Sequence, residues 1–217
     1  MARSSVSYVC QQCGSAFPKW AGRCDDCGAW NTLVEERKDA PAGPGKRSHG
    51  RQITLEPLQS ASTAKPLPRM QSDISEFDRV AGGGLVPGSA TLIGGDPGIG
   101  KSTLLLQLTC KLSSAGFRAA YISGEESADQ VRMRASRLGL ADATVELGTA
   151  TNASDIAASM TGAERPDIVV IDSIQTMFLP SLDSAPGTVS QVRASAQELI
   201  RAAKNNRVAL LIVCHVT

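Results

Sequence analysis

The chain has 217 residues, 42% of them hydrophobic, and its 22 basic and 21 acidic side chains leave a net charge of +1. That length supports one substantial core and a small module but not two large domains, and the even balance excludes a uniformly basic nucleic-acid or membrane-surface binder, so that any basic patch is local. No apolar run approaches the ~20 residues that span a bilayer, and Met-Ala-Arg-Ser-Ser-Val-Ser at the start carries no signal-peptide core; the expectation is a cytoplasmic protein with no membrane partner.

The first informative stretch is a cysteine module. Cys10, Cys13, Cys24 and Cys27 form two C-x2-C pairs separated by ten residues, a spacing that lets two tight turns present four thiolates to one tetrahedral ion; zinc is the expected metal. Gly14 and Gly28 follow the pairs and suit turns whose backbone amides point at the sulfurs. Disulfides are disfavoured in a reducing cytoplasm, and a redox C-x-x-C is disfavoured by the second pair so close by. A segment of about 30 residues is too small to be held by burial alone, so the metal is expected to supply most of its folding energy. Phe17, Trp20 and Trp30 are expected to pack around the site, the competing reading being a platform on which bases stack.

From Glu35 to Pro68 the chain is polar and carries Pro41, Pro44, Pro57, Pro66 and Pro68, which reads as a tether. Lys46, Arg47 and Arg51 are too short a basic run to predict more than solvation, and His49 stands alone. The predicted organisation is a zinc-ribbon module at 1–35, a flexible linker at 36–68 and a P-loop core at 69–217. Ile74, Phe77 and Val80 predict a short helix before a glycine-rich turn.

Gly95 to Ser102 reads Gly-Asp-Pro-Gly-Ile-Gly-Lys-Ser and matches G-x-x-x-x-G-K-[ST]. The apolar run Ala90 to Ile93 precedes it, and Leu104, Leu105, Leu108 and Leu112 follow at helical spacing, so strand, loop and helix stand in the order a phosphate cradle requires. Glycines let successive N–H groups converge on one phosphate, and the helix starting near Lys101 adds its positive end. The expected nucleotide site is Gly95, Asp96, Pro97, Gly98, Ile99, Gly100, Lys101, Ser102 and Thr103, with Lys101 meeting the β and γ phosphates of ATP, Ser102 offering its hydroxyl to a magnesium ion and Thr103 chiefly packing.

Beyond it, Ala119 to Ser123 predicts a strand that runs into Gly124-Glu125-Glu126-Ser127. In an open α/β sheet the carboxyl ends of the strands face the ligand, so one of the two glutamates is placed to polarise an attacking water; Glu125 is nearer the strand, and Glu126 also suits a helix start with Ser127 and Gln130 as a capping box. Arg132, Arg134 and Arg137 on that helix read as a solvated basic face. Val145 to Leu147 predicts a short strand, Ile156 to Met160 part of a helix, and Asp167 to Asp172 a buried strand ending in a carboxylate. A carboxylate beside such an apolar run reads as Walker B, Asp172 holding magnesium through its waters. Residues 174–187 predict a long functional loop, a helix opens near Val189, and Val208 to Val213 forms another buried strand ending at Cys214-His215. Taken alone, His215 reads as a core histidine.

The cysteine module, Gly95 to Ser102, Tyr121-Ile-Ser-Gly-Glu-Glu-Ser127, Ile171-Asp-Ser-Ile-Gln-Thr176 and Ser184-Ala-Pro-Gly187 together resemble the bacterial RadA (Sms) family over nearly the whole chain. The resemblance implies a RecA-like α/β core with a mostly parallel sheet flanked by helices behind a four-cysteine zinc ribbon. It also implies a hexameric ATPase that acts in recombinational DNA repair, moving along single-stranded DNA to drive branch migration of recombination intermediates in partnership with RecA. Glu125 matches the water-activating glutamate of RecA-like enzymes, His215 matches the γ-phosphate sensor, and residues 174–187 resemble a DNA-binding loop in which Phe178 stacks on a base, a subunit contact through Met177, Phe178 and Leu179 being the alternative. Two departures stand out: Cys214 occupies the position where the family has glycine, and the Lys-Asn-Arg-Phe-Gly motif and Lon-protease-like domain of the family do not follow. The resemblance therefore implies an amino-terminal fragment that binds ATP but hydrolyses it poorly. A reading of a different class is a zinc-ribbon interaction module joined to a nucleotide-dependent switch, without movement on DNA. A scaffold or clock ATPase with a related core is a third, against which the cysteine module argues.

Overall fold

The computed structural model describes residues 6–10, 15–26, 28–37 and 68–215. Cys13, Cys27 and most of the expected tether, including Lys46, Arg47, His49 and Arg51, lie outside the described residues. The chain falls into two compact units, Met1–Leu67 and Pro68–Thr217.

In the first unit β1 (Val6–Cys10), β2 (Ala16–Phe17) and β3 (Leu33–Arg37) form an antiparallel sheet in the order β2-β1-β3. Cys10, Cys24 and Leu33 are buried at its centre, with Tyr8, Phe17 and Ala21 packed against them. Phe17 thus lies where the sequence places it. Trp20 and Trp30 do not: they are 57% and 70% exposed. The described interior, Val9, Cys10, Cys24 and Leu33, is too small to enclose two indoles, each of which buries about 150–250 Å² when enclosed.

The second unit opens with α1 (Ser75–Val80) and β4 (Ala90–Gly95), followed by α2 (Lys101–Ser114) and β5 (Ala119–Ser123). Then come α3 (Ala128–Arg137), β6 (Glu146–Thr149), α4 (Ala153–Ser159) and β7 (Ile168–Asp172). A single 3-10 turn (Ile174–Thr176), α5 (Val189–Asn206) and β8 (Ala209–His215) complete it. The five strands β4 to β8 make one parallel sheet in the order β4-β8-β7-β5-β6. Parallel strands need covering on both faces, and β7 and β8 carry apolar residues without interruption for that reason. Ile168, Val170, Leu211 and Val213 point to a cluster with Leu105, Leu108 and Leu112 of α2 and Val131 of α3. Val169, Ile171, Leu210 and Ile212 alternate with them and meet Ile156 of α4 and Leu199 and Ala203 of α5 on the other face.

Residues 174–187 depart from a plain loop. The turn at 174–176 carries Ile174 and Met177 into the core, where both are buried. Phe178 then forms a short parallel bridge with Asn152, its N–H donating to the Thr151 carbonyl and its own carbonyl accepting from Ala153, at 2.9 Å each. Met177 therefore belongs to the core rather than to a subunit contact: the turn at 174–176 directs it inward, and its unbranched, flexible side chain fills the space there.

Candidate functional site

The loop after β4 is shaped by its glycines and its lysine. Gly98 and Gly100 have φ of 80° and 99°, and a Cβ at either would meet nothing within 4 Å; backbone conformation, not crowding, requires glycine there. Gly100 is also the N-cap of α2 and offers no side chain to its first turn, which leaves the first N–H groups of a 14-residue helix pointing outward, the arrangement that receives a phosphate. Lys101 is 7% exposed, and its ammonium donates to the carbonyls of Gly95 and Asp96, both at 2.7 Å. The charge is thereby centred over the loop. Asp96, Pro97 and Ile99 are exposed along the rim, while Ser102 and Thr103 are half-buried at the start of the helix.

Strand register brings three further carboxyl ends alongside. Gly95 of β4 pairs with His215 of β8, and Ser123 of β5 pairs with Asp172 of β7. Asp172 is 5% exposed, and the Tyr121 hydroxyl donates to its Oδ2. The same hydroxyl lies 3.5 Å from the Ser102 carbonyl oxygen, so one oxygen atom touches both the start of α2 and the end of β7. Burial, and next the Asp172 carboxylate beside it, hold the Tyr121 phenol protonated far above the usual tyrosine range. Arg134 completes this line: its Nη2 donates to the Tyr121 oxygen at 3.2 Å and lies 2.8 Å from Glu126.

Arg134 is therefore not part of a solvated basic face, since its side chain is only 13% exposed and ion-paired; the helical position faces the sheet, and a guanidinium there needs an anion. Arg132, 63% exposed beside Asp129, fits the solvated reading. The pairing also separates the two glutamates. Glu126 turns back to Arg134, whereas Glu125 accepts a hydrogen bond from the Ser173 hydroxyl and lies 3.5 Å from His215 Nε2. The backbone permits this only with glycine at 124, where a Cβ would sit 2.0 Å from Thr176 Oγ1. Ser127 and Gln130 form the expected capping box.

Two residues that sequence reasoning left without a role organise the rest. Gln175 donates to Cys214 Sγ at 3.3 Å and to the His215 carbonyl at 3.2 Å, tying the 3-10 turn to the end of β8. Gln191, 1% exposed, accepts from the Leu179 N–H at 2.8 Å and donates to the carbonyls of Leu179, Leu182 and Ser184 at 3.3, 3.2 and 2.9 Å. One side chain thus folds residues 179–184 onto the start of α5.

In the first unit the two described cysteines sit in matching turns. The N–H of Cys10 donates to the Ser15 carbonyl at 2.9 Å, and that of Cys24 to the Ala29 carbonyl at 2.8 Å, the same five-residue step after each C-x2-C start. Both sulfurs face one small interior. Paired turns of this kind, with buried thiols converging, fit a tetrahedral zinc site, which Cys13 and Cys27 would complete.

Residues 66–217 match the family model described as an AAA domain, and residues 8–35 match one described as a rubredoxin metal binding domain. The chain belongs to the AAA-domain family, with a zinc-ribbon module ahead of a RecA-like P-loop core. Among curated proteins it is similar to the DNA repair protein RadA of Brucella abortus (strain 2308), 51% identical over 100% of this chain and 48% of the relative. It is likewise 51% identical to RadA of Pseudomonas aeruginosa and 46% identical to RadA of Bacillus subtilis, again across 100% of this chain and 48% of theirs. The chain spans about half the length of the curated relatives it matches. Its fold is similar to that of a solved ATPase domain (TM-score 0.58, 15% identity, 68% of this chain and 64% of that one). It is also similar to a DnaB-like replicative helicase solved for its interactions with primase (TM-score 0.59, 14% identity, 72% of this chain and 46% of that one).

Proposed function

We propose that this chain is the nucleotide-binding part of a DNA repair ATPase: residues 69–217 bind and hydrolyse ATP with magnesium, a zinc ribbon occupies residues 1–35, and residues 36–68 connect them. The observation that carries the reading is the Tyr121 hydroxyl, which lies between the Asp172 carboxylate and the Ser102 backbone and so holds the acidic strand end against the start of the phosphate-binding helix. Lys101 then neutralises the β and γ phosphates, and the loop from Gly95 to Thr103 encloses them. Ser102 and Asp172 would hold the magnesium ion there, and when bound it would supply positive charge to the phosphate oxygens. Glu125 orients and deprotonates the attacking water, supported by its freedom from Arg134, and His215 stands beside it where the γ phosphate would lie. By similarity to the RadA proteins, the substrate nucleic acid is single-stranded DNA, and the whole protein works as a ring, a hexamer, that drives branch migration with RecA.

The test is ATP hydrolysis by the chain and by Lys101→Ala and Glu125→Gln, with and without single-stranded DNA. Lys101→Ala is expected to lose nucleotide binding, and Glu125→Gln to keep binding while turnover falls about 10²- to 10⁴-fold, the usual worth of a positioned base. Undiminished turnover in Lys101→Ala would remove the site. Nucleotide binding with no response to DNA would favour the protein-interaction switch instead.

A further inference from the structure

We infer that Trp20 and Trp30 form a base-stacking platform for single-stranded DNA on the surface of the zinc ribbon, a contact separate from the nucleotide site and resting on the DNA-binding reading above. They are the chain's only two tryptophans, and they lie 57% and 70% exposed, outside the buried cluster of Cys10, Cys24 and Leu33. Large aromatic rings held in water cost free energy that packing would have removed, and here the fold itself holds them out. The backbone at 22–23 runs beside that at 30–31: Arg23 bridges Trp30 in antiparallel fashion, and the Asn31 N–H donates to the Gly22 carbonyl at 2.8 Å. Gly22 lies between the rings. A Cβ there would come within 3.8 Å of Trp20 and 4.0 Å of Trp30, so the two ring edges stand no further than about 8 Å apart, side by side over the same stretch of backbone, as one aromatic surface.

A guanidinium completes the platform. Arg23 sits 5.9 Å from the centroid of Trp30, and its Nε donates to the Gly28 carbonyl at 3.1 Å, which fixes the cation against the ring rather than leaving it free to sample solvent. Bases stack on such indole and guanidinium surfaces whatever their identity, because every base has a π face. The surroundings favour a nucleic acid over a protein. A protein-docking centre is a desolvated apolar patch enclosed by neighbours, whereas these rings stand among exposed Lys19, Arg23, Asp25, Asp26 and Asn31. The two cations and two carboxylates cancel locally, so the contact takes bases by their faces and gains little from phosphate charge.

Because no other residue emits as tryptophan does, the platform reports on itself. The full chain is titrated with dye-labelled oligothymidylate while tryptophan emission and dye anisotropy are read together. The expected result is saturable quenching of tryptophan emission that follows the anisotropy. Trp20→Ala and Trp30→Ala should each weaken binding about five- to tenfold with zinc content unchanged, Trp30→Tyr should restore most of it, and a chelator should abolish the quenching. Raising salt should move the quenching midpoint less than it moves the anisotropy of a basic-groove binder. Anisotropy that rises while tryptophan emission stays constant, or wild-type affinity in the doubly substituted Trp20→Ala, Trp30→Ala protein, would overturn the platform and leave the DNA reading standing. No change in either signal would overturn both.

Discussion

At the scale of single residues, the site depends on a phenol that has no part in the P-loop pattern. Tyr121 is fully buried and donates its hydroxyl hydrogen bond to Oδ2 of Asp172, which leaves the other carboxylate oxygen outside that contact. Tyr121→Phe keeps the volume and removes the donor, at a cost of about 1–3 kcal/mol for an acceptor left unpaired. The fold should survive, the magnesium concentration for half-maximal nucleotide binding should rise several-fold, and a titration of fluorescent ATP analogue against magnesium measures it. The same substitution has a pH signature. A phenol whose folded pKa lies above its unfolded value stabilises the protein fully below about pH 10 and loses that contribution as pH rises further. Wild-type melting temperature should therefore fall more steeply above that pH than the melting temperature of Tyr121→Phe. Lys101, Ser102 and Asp172 were legible in the sequence because their spacing or their place beside an apolar run is itself the signal. Tyr121 was legible only as one aromatic in a strand, and Arg134 only as one of three arginines, since their roles exist between elements that meet after folding.

At the scale of elements, the strands of the core followed from short apolar runs and its helices from helical apolar spacing, with small shifts: β6 begins at Glu146 and α4 at Ala153, where the Asn152 side chain caps the helix. The segment after β7 was the hardest to read. Its length predicts a long functional loop, yet Met177 is buried and Gln191 gathers the backbone of Leu179, Leu182 and Ser184. Thr188 caps α5 through its side chain, while the Gln191 side chain turns away to the loop. Gln191→Leu should release residues 179–187 while the sheet remains, seen as faster protease cleavage there with an unchanged far-ultraviolet spectrum. Gln191→Glu should do the same, because a carboxylate cannot donate to three carbonyls. Phe178 is half-buried, and its backbone is tied to Thr151 and Ala153; if it stacks on a base as the RadA resemblance implies, Phe178→Ala should weaken single-stranded DNA binding several-fold, and unchanged affinity would remove it from the contact.

At the scale of the whole molecule, the two units answer to different forces. The core buries apolar clusters on both faces of its sheet, whereas the described residues of the ribbon bury only Val9, Cys10, Cys24 and Leu33 and the module must draw on metal coordination. A strong chelator should unfold residues 6–37 and leave ATP binding intact, as followed by zinc release, tryptophan emission and nucleotide affinity in one experiment; a ribbon unchanged after zinc loss would contradict the four-thiolate reading.

The alternation of β7 between two apolar faces carries a further consequence for how this sheet finds its alignment. From Ile168 to Ile171 every side chain is apolar and buried, so a slip of one residue would exchange the faces with little change in hydrophobic energy, whereas in a half-wet strand the same slip is forbidden by polarity. Fidelity must come from the ends. Asp167 accepts from the Arg118 N–H through Oδ2 at 3.0 Å, donates its own N–H to the Arg118 carbonyl at 2.8 Å and accepts the Ala209 N–H at its carbonyl at 2.8 Å; at the far end the Tyr121 hydroxyl donates to Asp172. Shifted by one position, about 3.3 Å along the strand, Asp172 would leave that hydroxyl and turn toward the opposite layer. The polar residues that bracket β7 are thus an alignment key, and the carboxylate at the nucleotide site is one of its two teeth.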